Sequence, residues 1–152
     1  MNKKVIELLN EARKRELLAI LQYMEQHYEL EDAGYGKLGT RLKEIAIVEM
    51  KHAETLAERI LFLGGIPLTK PDGDIKKSLS IPELLKVDEK IEDGAIKMYN
   101  ESAKVCAAEG DHVSKEIFEK LLGEEEDHLD EFQKDIDHVE KLGTVYINSL
   151  VE

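Results

Sequence analysis

The chain predicts an all-α protein, an antiparallel four-helix bundle with one long crossover and a short fifth helix. Three observations carry this. Only 10 Gly and 3 Pro occur in 152 residues, too few turn-formers for the many short strands of an all-β fold. Apolar residues recur at three- and four-residue steps over four long stretches. The connections between those stretches are short, long and short, the pattern of a bundle with one crossover. The length suits one domain, residues 1–152, and a chain of this size buries roughly two thirds of its unfolded surface.

The first helix spans 3–31, with Val5, Leu8, Leu9, Ala12, Ala19, Ile20, Tyr23 and His27 in period. Asp32-Ala33-Gly34-Tyr35-Gly36 is a turn. The second helix, 37–63, carries Leu38, Leu42, Ile45, Ala53, Leu56, Ile60 and Leu63, and Gly64-Gly65 with Pro67 stops it. The crossover, 64–80, has no period and is long for a compact domain. Ser80-Ile81-Pro82-Glu83 opens the third helix, 81–108, with Ser as N-cap, Pro in the first turn and Glu at the third position. Leu84, Val87, Ile91, Ala95, Met98, Ser102 and Val105 mark its predicted inner side. Glu109-Gly110-Asp111 is the second tight turn. The fourth helix, 112–142, carries Ile117, Leu121, Phe132, Ile136 and Val139, and Gly143 caps it. The tail, 144–151, forms the fifth helix. Helices of about 27 residues are about 40 Å long, so the crossover can run the length of the bundle.

Composition narrows the function. The net charge is −12, which argues against nucleic acid and anionic membrane as partners and favours cations. One cysteine, Cys106, excludes an internal disulfide framework and any CxxC metal site. The longest apolar run is Leu17 to Leu21, far short of a bilayer span. Met1-Asn2-Lys3-Lys4 has a signal-like charge, but Glu7 and Glu11 interrupt any apolar region behind it, so a reduced cytoplasmic setting is expected.

Polar residues interrupt the apolar stripes at six places: Glu16, Glu49, His52, Glu92, Glu125 and His128. Glu is 23 of 152 residues and His is 5, so chance alone gives Glu-x-x-His pairs, and the motif by itself is weak. Spacing strengthens it. Glu16 precedes Glu49 by 33 residues, and Glu92 precedes Glu125 by 33. Each half reads Glu, then Glu-x-x-His, which implies a pseudo-twofold repeat suited to two metal ions. Four buried carboxylates without partners would each cost on the order of several kcal/mol, and two divalent cations neutralise them. Oxygen-rich sites with one imidazole per metal favour iron or manganese. A Glu from each of two helices with Glu-x-x-His from the other two is the di-iron carboxylate pattern of such bundles. The competing reading places these residues on the solvated faces of a Glu-rich chain.

The chain resembles the ferritin-like superfamily, and within it the bacterioferritins. The resemblance rests on Arg15 to Tyr23, Glu49-Met50-Lys51-His52-Ala53, Glu58 to Pro67, and Glu124-Glu125-Glu126-Asp127-His128, and covers nearly the whole chain. It implies a homo-oligomer of two-fold dimers forming a 24-subunit shell that oxidises Fe(II) with O2 or H2O2 and stores Fe(III) mineral. It also implies that Glu49 and Glu125 bridge two irons, with Glu16 and His52 completing one and Glu92 and His128 the other. Tyr23 is then either an electron donor or a core tyrosine whose hydroxyl rests on a carboxylate. Met50 is either a ligand to haem b shared between two subunits or a methionine packed at a dimer interface. An electron-donor ferredoxin is a candidate partner. The chain departs from the family at Glu44 and Val48, where a His and an Asp bind iron on the inner wall, and in its short tail. His27, His112 and His138 read as surface or capping residues, and Glu124, Glu126 and Asp127 as solvated.

Two other functions compete. One is a rubrerythrin-like di-iron peroxidase working as a small oligomer, which usually brings a CxxC iron domain. The other is a non-catalytic bundle. DNA-protecting miniature ferritins fit less well, because their HxxxDxxxE pattern is absent.

Overall fold

The structure, a computed structural model, describes residues 2–152. It contains α1 (Lys3–Asp32), α2 (Gly36–Phe62), α3 (Ile81–Ala108), α4 (His112–Leu142) and α5 (Thr144–Ser149). The four long helices form the bundle, with α1 packed along α2, and α3 along α4. Among the described residues no helix is long and apolar enough to cross a membrane. Met1, part of the signal-like start, lies outside the described residues.

Local chemistry sets the helix ends. The Asn2 side chain accepts from the Val5 N–H at the start of α1, and Asp111 does the same from Ser114 at α4. Ser80 and Glu83 form a complete capping box at α3, satisfying two N–H groups that the first turn leaves without partners. The two hairpin turns carry Gly34 (φ +90°) and Gly110 (φ +74°), in the left-handed region where a Cβ is costly.

The crossover lies along α1. Asn10 clamps it with both ends of its amide, donating to the Ile66 carbonyl (3.1 Å) and accepting from the Leu68 N–H (2.8 Å). Gln22 repeats this on Lys76, with 2.8 Å in each direction. The Glu29 carboxylate then accepts from the Ser78 N–H. A loop without secondary structure thus has its backbone groups satisfied by side chains. It travels from the level of residue 10 to that of residue 29 and delivers the chain to α3. At the far end, Arg41 on α2 and the Tyr146 hydroxyl both engage Asp135 of α4. Leu150 is buried there, and its carbonyl accepts from the Lys37 N–H.

The core has two apolar zones. One holds Leu9, Leu56, Ile60, Tyr99, Phe118 and Leu121. The other holds Tyr23, Leu30, Leu42, Leu85, Phe132 and Leu150. The seam of α3 differs from the apolar period of the sequence. Its buried line runs through Leu85, Asp88, Glu92, Ala95, Tyr99, Ser102 and Cys106, while Val87, Ile91, Met98 and Val105 are only half-buried. Likewise Phe118 on α4 is fully buried and Ile117 is not. One residue is 100° of helix rotation, so following Ile91 rather than Glu92 turns the inferred face by about a quarter turn.

Candidate metal centre

Between the two apolar zones the helices bring polar residues to one level. Glu16 comes from α1, Glu49 and His52 from α2, Glu92 from α3, and Glu125 and His128 from α4. A three-residue step is just under one turn, so each Glu and its following His leave the same face of their helix. The four carboxylates are 0–1% exposed and the imidazoles 4% and 7%. That burial excludes the solvated-face reading.

The six residues form two overlapping sets. Glu16, Glu49, His52 and Glu125 make one, and Glu49, Glu92, Glu125 and His128 the other. Within each set, one ligand atom per residue lies within 4.8 Å of the rest. Glu49 and Glu125 belong to both. His52 Nδ1 is 3.5, 3.3 and 3.2 Å from Oε1 of Glu16, Glu49 and Glu125. His128 Nδ1 is 3.4, 3.7 and 3.6 Å from Oε1 of Glu49, Glu92 and Glu125.

Burial pushes Glu16 and Glu49 up to about 7 and Glu92 up to about 8, and neighbouring carboxylates push further in the same direction. Burial alone would lower the imidazoles. Their contacts with the surrounding carboxylates, Glu125 first, outweigh it, raising His52 and taking His128 to about 12. Protons therefore gather where no cation stands.

The donor set fits a pair of metal ions. Glu16 Oε2, both oxygens of Glu49, Glu92 Oε2, Glu125 Oε1 and Nδ1 of both histidines are buried without a hydrogen-bond partner. Such a concentration of buried polar atoms without partners is rare in native cores and suits ligands of a cation. Carboxylate-rich donors with one imidazole per set match iron or manganese rather than a thiolate metal.

Two tyrosines orient the outer carboxylates. The Tyr23 hydroxyl donates to Glu92 Oε1 at 2.6 Å, and the Tyr99 hydroxyl donates to Glu16 Oε1 at 2.6 Å. Each takes one oxygen and leaves the other free for a metal. Burial, then the charge of the partnered Glu, raises both phenols well above their usual range. Tyr99 escapes an apolar-stripe reading, but the repeat finds it. A shift of 76 residues carries Glu16 onto Glu92, Glu49 onto Glu125, His52 onto His128, and Tyr23 onto Tyr99.

Glu124 departs from its reading as a solvated residue. It is only partly exposed, and its Oε2 is hydrogen-bonded to His52 Nε2. The spacing of the stripes cannot reveal it, because it sits beside the seam rather than on it. Glu124, Val48, His52 and His128 line a groove of about 450 Å³ between α2 and α4. Glu44 is exposed on α2. His27, His112 and His138 lie outside the cluster. Met50 is 53% exposed on α2, turned away from the centre.

Comparison with known proteins places this arrangement. The model of the ferritin-like domain matches residues 6–142. A bacterioferritin of Desulfovibrio desulfuricans (strain ATCC 27774) is 44% identical over 144 residues, 95% of this chain and 80% of the relative. The chain belongs to the bacterioferritin family. Another bacterioferritin, from Brucella melitensis biotype 1, is 39% identical over 140 residues, covering 92% of this chain and 87% of the relative. The X-ray structure of the D. desulfuricans bacterioferritin, solved for its diiron site in different catalytic states, superposes with a TM-score of 0.94. That match has 44% identity and covers 97% of this chain and 86% of the other. The bacterioferritin fold therefore accounts for the bundle, the crossover and the short terminal helix.

Proposed function

We propose that this chain, as a single ferritin-like domain over residues 1–152, oxidises Fe(II) and stores iron through a di-iron centre within each subunit. Glu49 and Glu125 would be shared by the two ions, Glu16 and His52 would complete one site, and Glu92 and His128 the other. The observation that carries this is the pair of overlapping ligand sets sharing Glu49 and Glu125. Family membership supports the same reading.

Each group has a definable role. The bound iron pair would supply two electrons, one from each Fe(II), to O2 or H2O2 as the final oxidant. The four carboxylates would balance the charge of two divalent ions, and the apolar zones above and below close the layer along the bundle axis. Tyr23 and Tyr99 hold Glu92 and Glu16 by one oxygen each. Tyr23 would also give up an electron, its hydroxyl proton passing along the hydrogen bond to Glu92 Oε1. The test is an anaerobic Fe(II) titration followed by exposure to oxidant. Two ions per chain and rapid oxidation are expected. In the Glu49→Ala/Glu125→Ala double variant both ions are lost, and oxidation slows to that of free Fe(II). An unchanged rate removes the assignment.

The same reading extends to the assembly: two-fold dimers in a 24-subunit shell in the cytoplasm, reduced by a ferredoxin-type donor. Haem b between two subunits fits Met50. That thioether is exposed among other exposed apolar side chains of the first hairpin, Leu21 and Tyr28 on α1 and Ile47 on α2. A two-fold interface brings one Met from each chain to the axis, and thioether ligation raises haem potential. Met50→Leu keeps the volume and is expected to abolish the Soret band while leaving two irons bound. Size-exclusion mass separates a shell from a small rubrerythrin-like oligomer.

A further inference from the structure

The two imidazoles are not equivalent, although the repeat relates them. The 76-residue shift that carries His52 onto His128 carries Val48 onto Glu124. Glu124, on α4, holds the outer nitrogen of His52. Val48, the corresponding residue on α2, is aliphatic. It lines the same groove, where it offers His128 no acceptor. Among the described residues no hydrogen bond engages His128 Nε2.

This difference acts on metal binding. The Nδ1 atoms of both rings face the carboxylate cluster. An Nδ1 lone pair binds a cation only when the ring proton sits on Nε2. A carboxylate accepting from Nε2–H fixes that tautomer and the ring's orientation, and makes Nδ1 more basic. We propose that Glu124 is a positioning residue for His52, so that the Glu16–Glu49–His52–Glu125 site is the tighter of the two and fills first. The inference rests on the di-iron reading above and adds an order to it. The His52 ion is the retained one, and the His128 ion is the one that exchanges.

The experiment is an anaerobic Co(II) titration of the full chain, followed by calorimetry and by the visible absorption of the bound ion. Wild type is expected to bind two Co(II) in two resolved steps. His128→Ala should keep the tighter step and lose the weaker. Glu124→Ala should weaken the tighter step about 10- to 100-fold, as loss of an outer partner to a ligating histidine typically does, and shift its absorption band while leaving the weaker step in place. Glu124→Gln keeps an acceptor for Nε2–H and should restore most of the loss. Val48→Glu gives His128 the missing partner and should tighten the second step toward the first. The half-exposed position of Glu124 allows the substitutions without opening the core, and an unchanged melting curve of the metal-free variants checks this. Two equal steps in wild type, or a Glu124→Ala isotherm that matches wild type or loses both steps equally, overturns the proposal and leaves the dinuclear centre standing. Fewer than two ions bound by wild type overturns the dinuclear reading, and the proposal with it.

Discussion

The two hairpins, α1–α2 and α3–α4, are the same device built twice with different surroundings. The ligands and their tyrosines coincide under the 76-residue shift, and both tyrosines reach their carboxylates at 2.6 Å. The residues around them do not coincide. Fully buried Asp88 of α3 accepts from the Gln26 amide at 2.8 Å, whereas the shifted positions are Ala12 and Ser102. Glu124 likewise corresponds to Val48. The residues of the carboxylate–imidazole cluster are thus duplicated, while those packed around it have diverged. Two-fold chemistry constrains the first kind and leaves the second free.

The bluntest way to break the symmetry is to remove one imidazole. His52→Ala and His128→Ala should each reduce two bound Fe(II) per chain to one, and oxidation should collapse in both, because a pair of ions is needed for a two-electron step. Equal retention of two ions in both variants would show that the carboxylates suffice.

Next in size is the effect of metal on the whole molecule. An ion that binds only the folded chain stabilises it by about 4 kcal/mol at a thousandfold excess over its Kd, or about 10 °C in Tm for a chain of this length. The increment depends on pH with a definite sign. The folded-state values of Glu16, Glu49 and Glu92 lie above the ordinary 4.5, at about 7, 7 and 8, so the metal-free fold holds more protons than the unfolded chain. Its stability falls as pH rises from about 4.5 through about 8. The raised histidines act in the same direction above their ordinary 6.5. Metal replaces these protons, so the gain in Tm on adding Mn(II) should be larger at pH 8 than at pH 5.5. Differential scanning fluorimetry at the two pH values checks it, and a pH-independent gain would mean the cluster enters the fold already ionised.

The tyrosines sharpen the comparison further. Tyr23→Phe and Tyr99→Phe each remove a hydrogen bond to a buried carboxylate, worth about 2 kcal/mol. Equal losses of Tm are expected, because the two bonds are alike. Oxidation kinetics should separate the pair if Tyr23 alone gives up an electron. The smallest effect belongs to the substitution Asp88→Asn. Burial raises its carboxyl well above the usual range, which favours the neutral acid. Asp88→Asn should shift Tm by no more than about 2 °C, within the ordinary range for a substitution that breaks no buried network. Asp88→Ala leaves Gln26 without its acceptor and should cost about 1–3 kcal/mol.

The bundle and its polar layer are legible without coordinates because long helices impose a strict period, and charged residues on an apolar stripe stand out against it. Legibility fails where the buried residue is polar and flanked by an apolar neighbour. On α3 the eye follows Ile91 and Met98, while the seam runs through Asp88, Glu92 and Tyr99. Asn10 and Gln22 are hidden for the same reason. Their burial is explained by the crossover backbone they hold, a partner more than fifty residues away. Glu124 is lost in an acidic run, because its hydrogen-bond partner is an imidazole from another helix.

The division of the ligands between the two hairpins has a kinetic consequence. Each hairpin is held together by sequence-local contacts and can form early, since local contacts need little loop closure. Neither hairpin alone contains a complete ligand set, because each set draws on residues from both. The ion therefore meets its full coordination only once the two hairpins have docked. An interaction absent from the transition state changes the unfolding rate and leaves the folding rate alone. Iron in this position works as a latch on a closed door: it makes the loaded subunit long-lived without hastening its assembly.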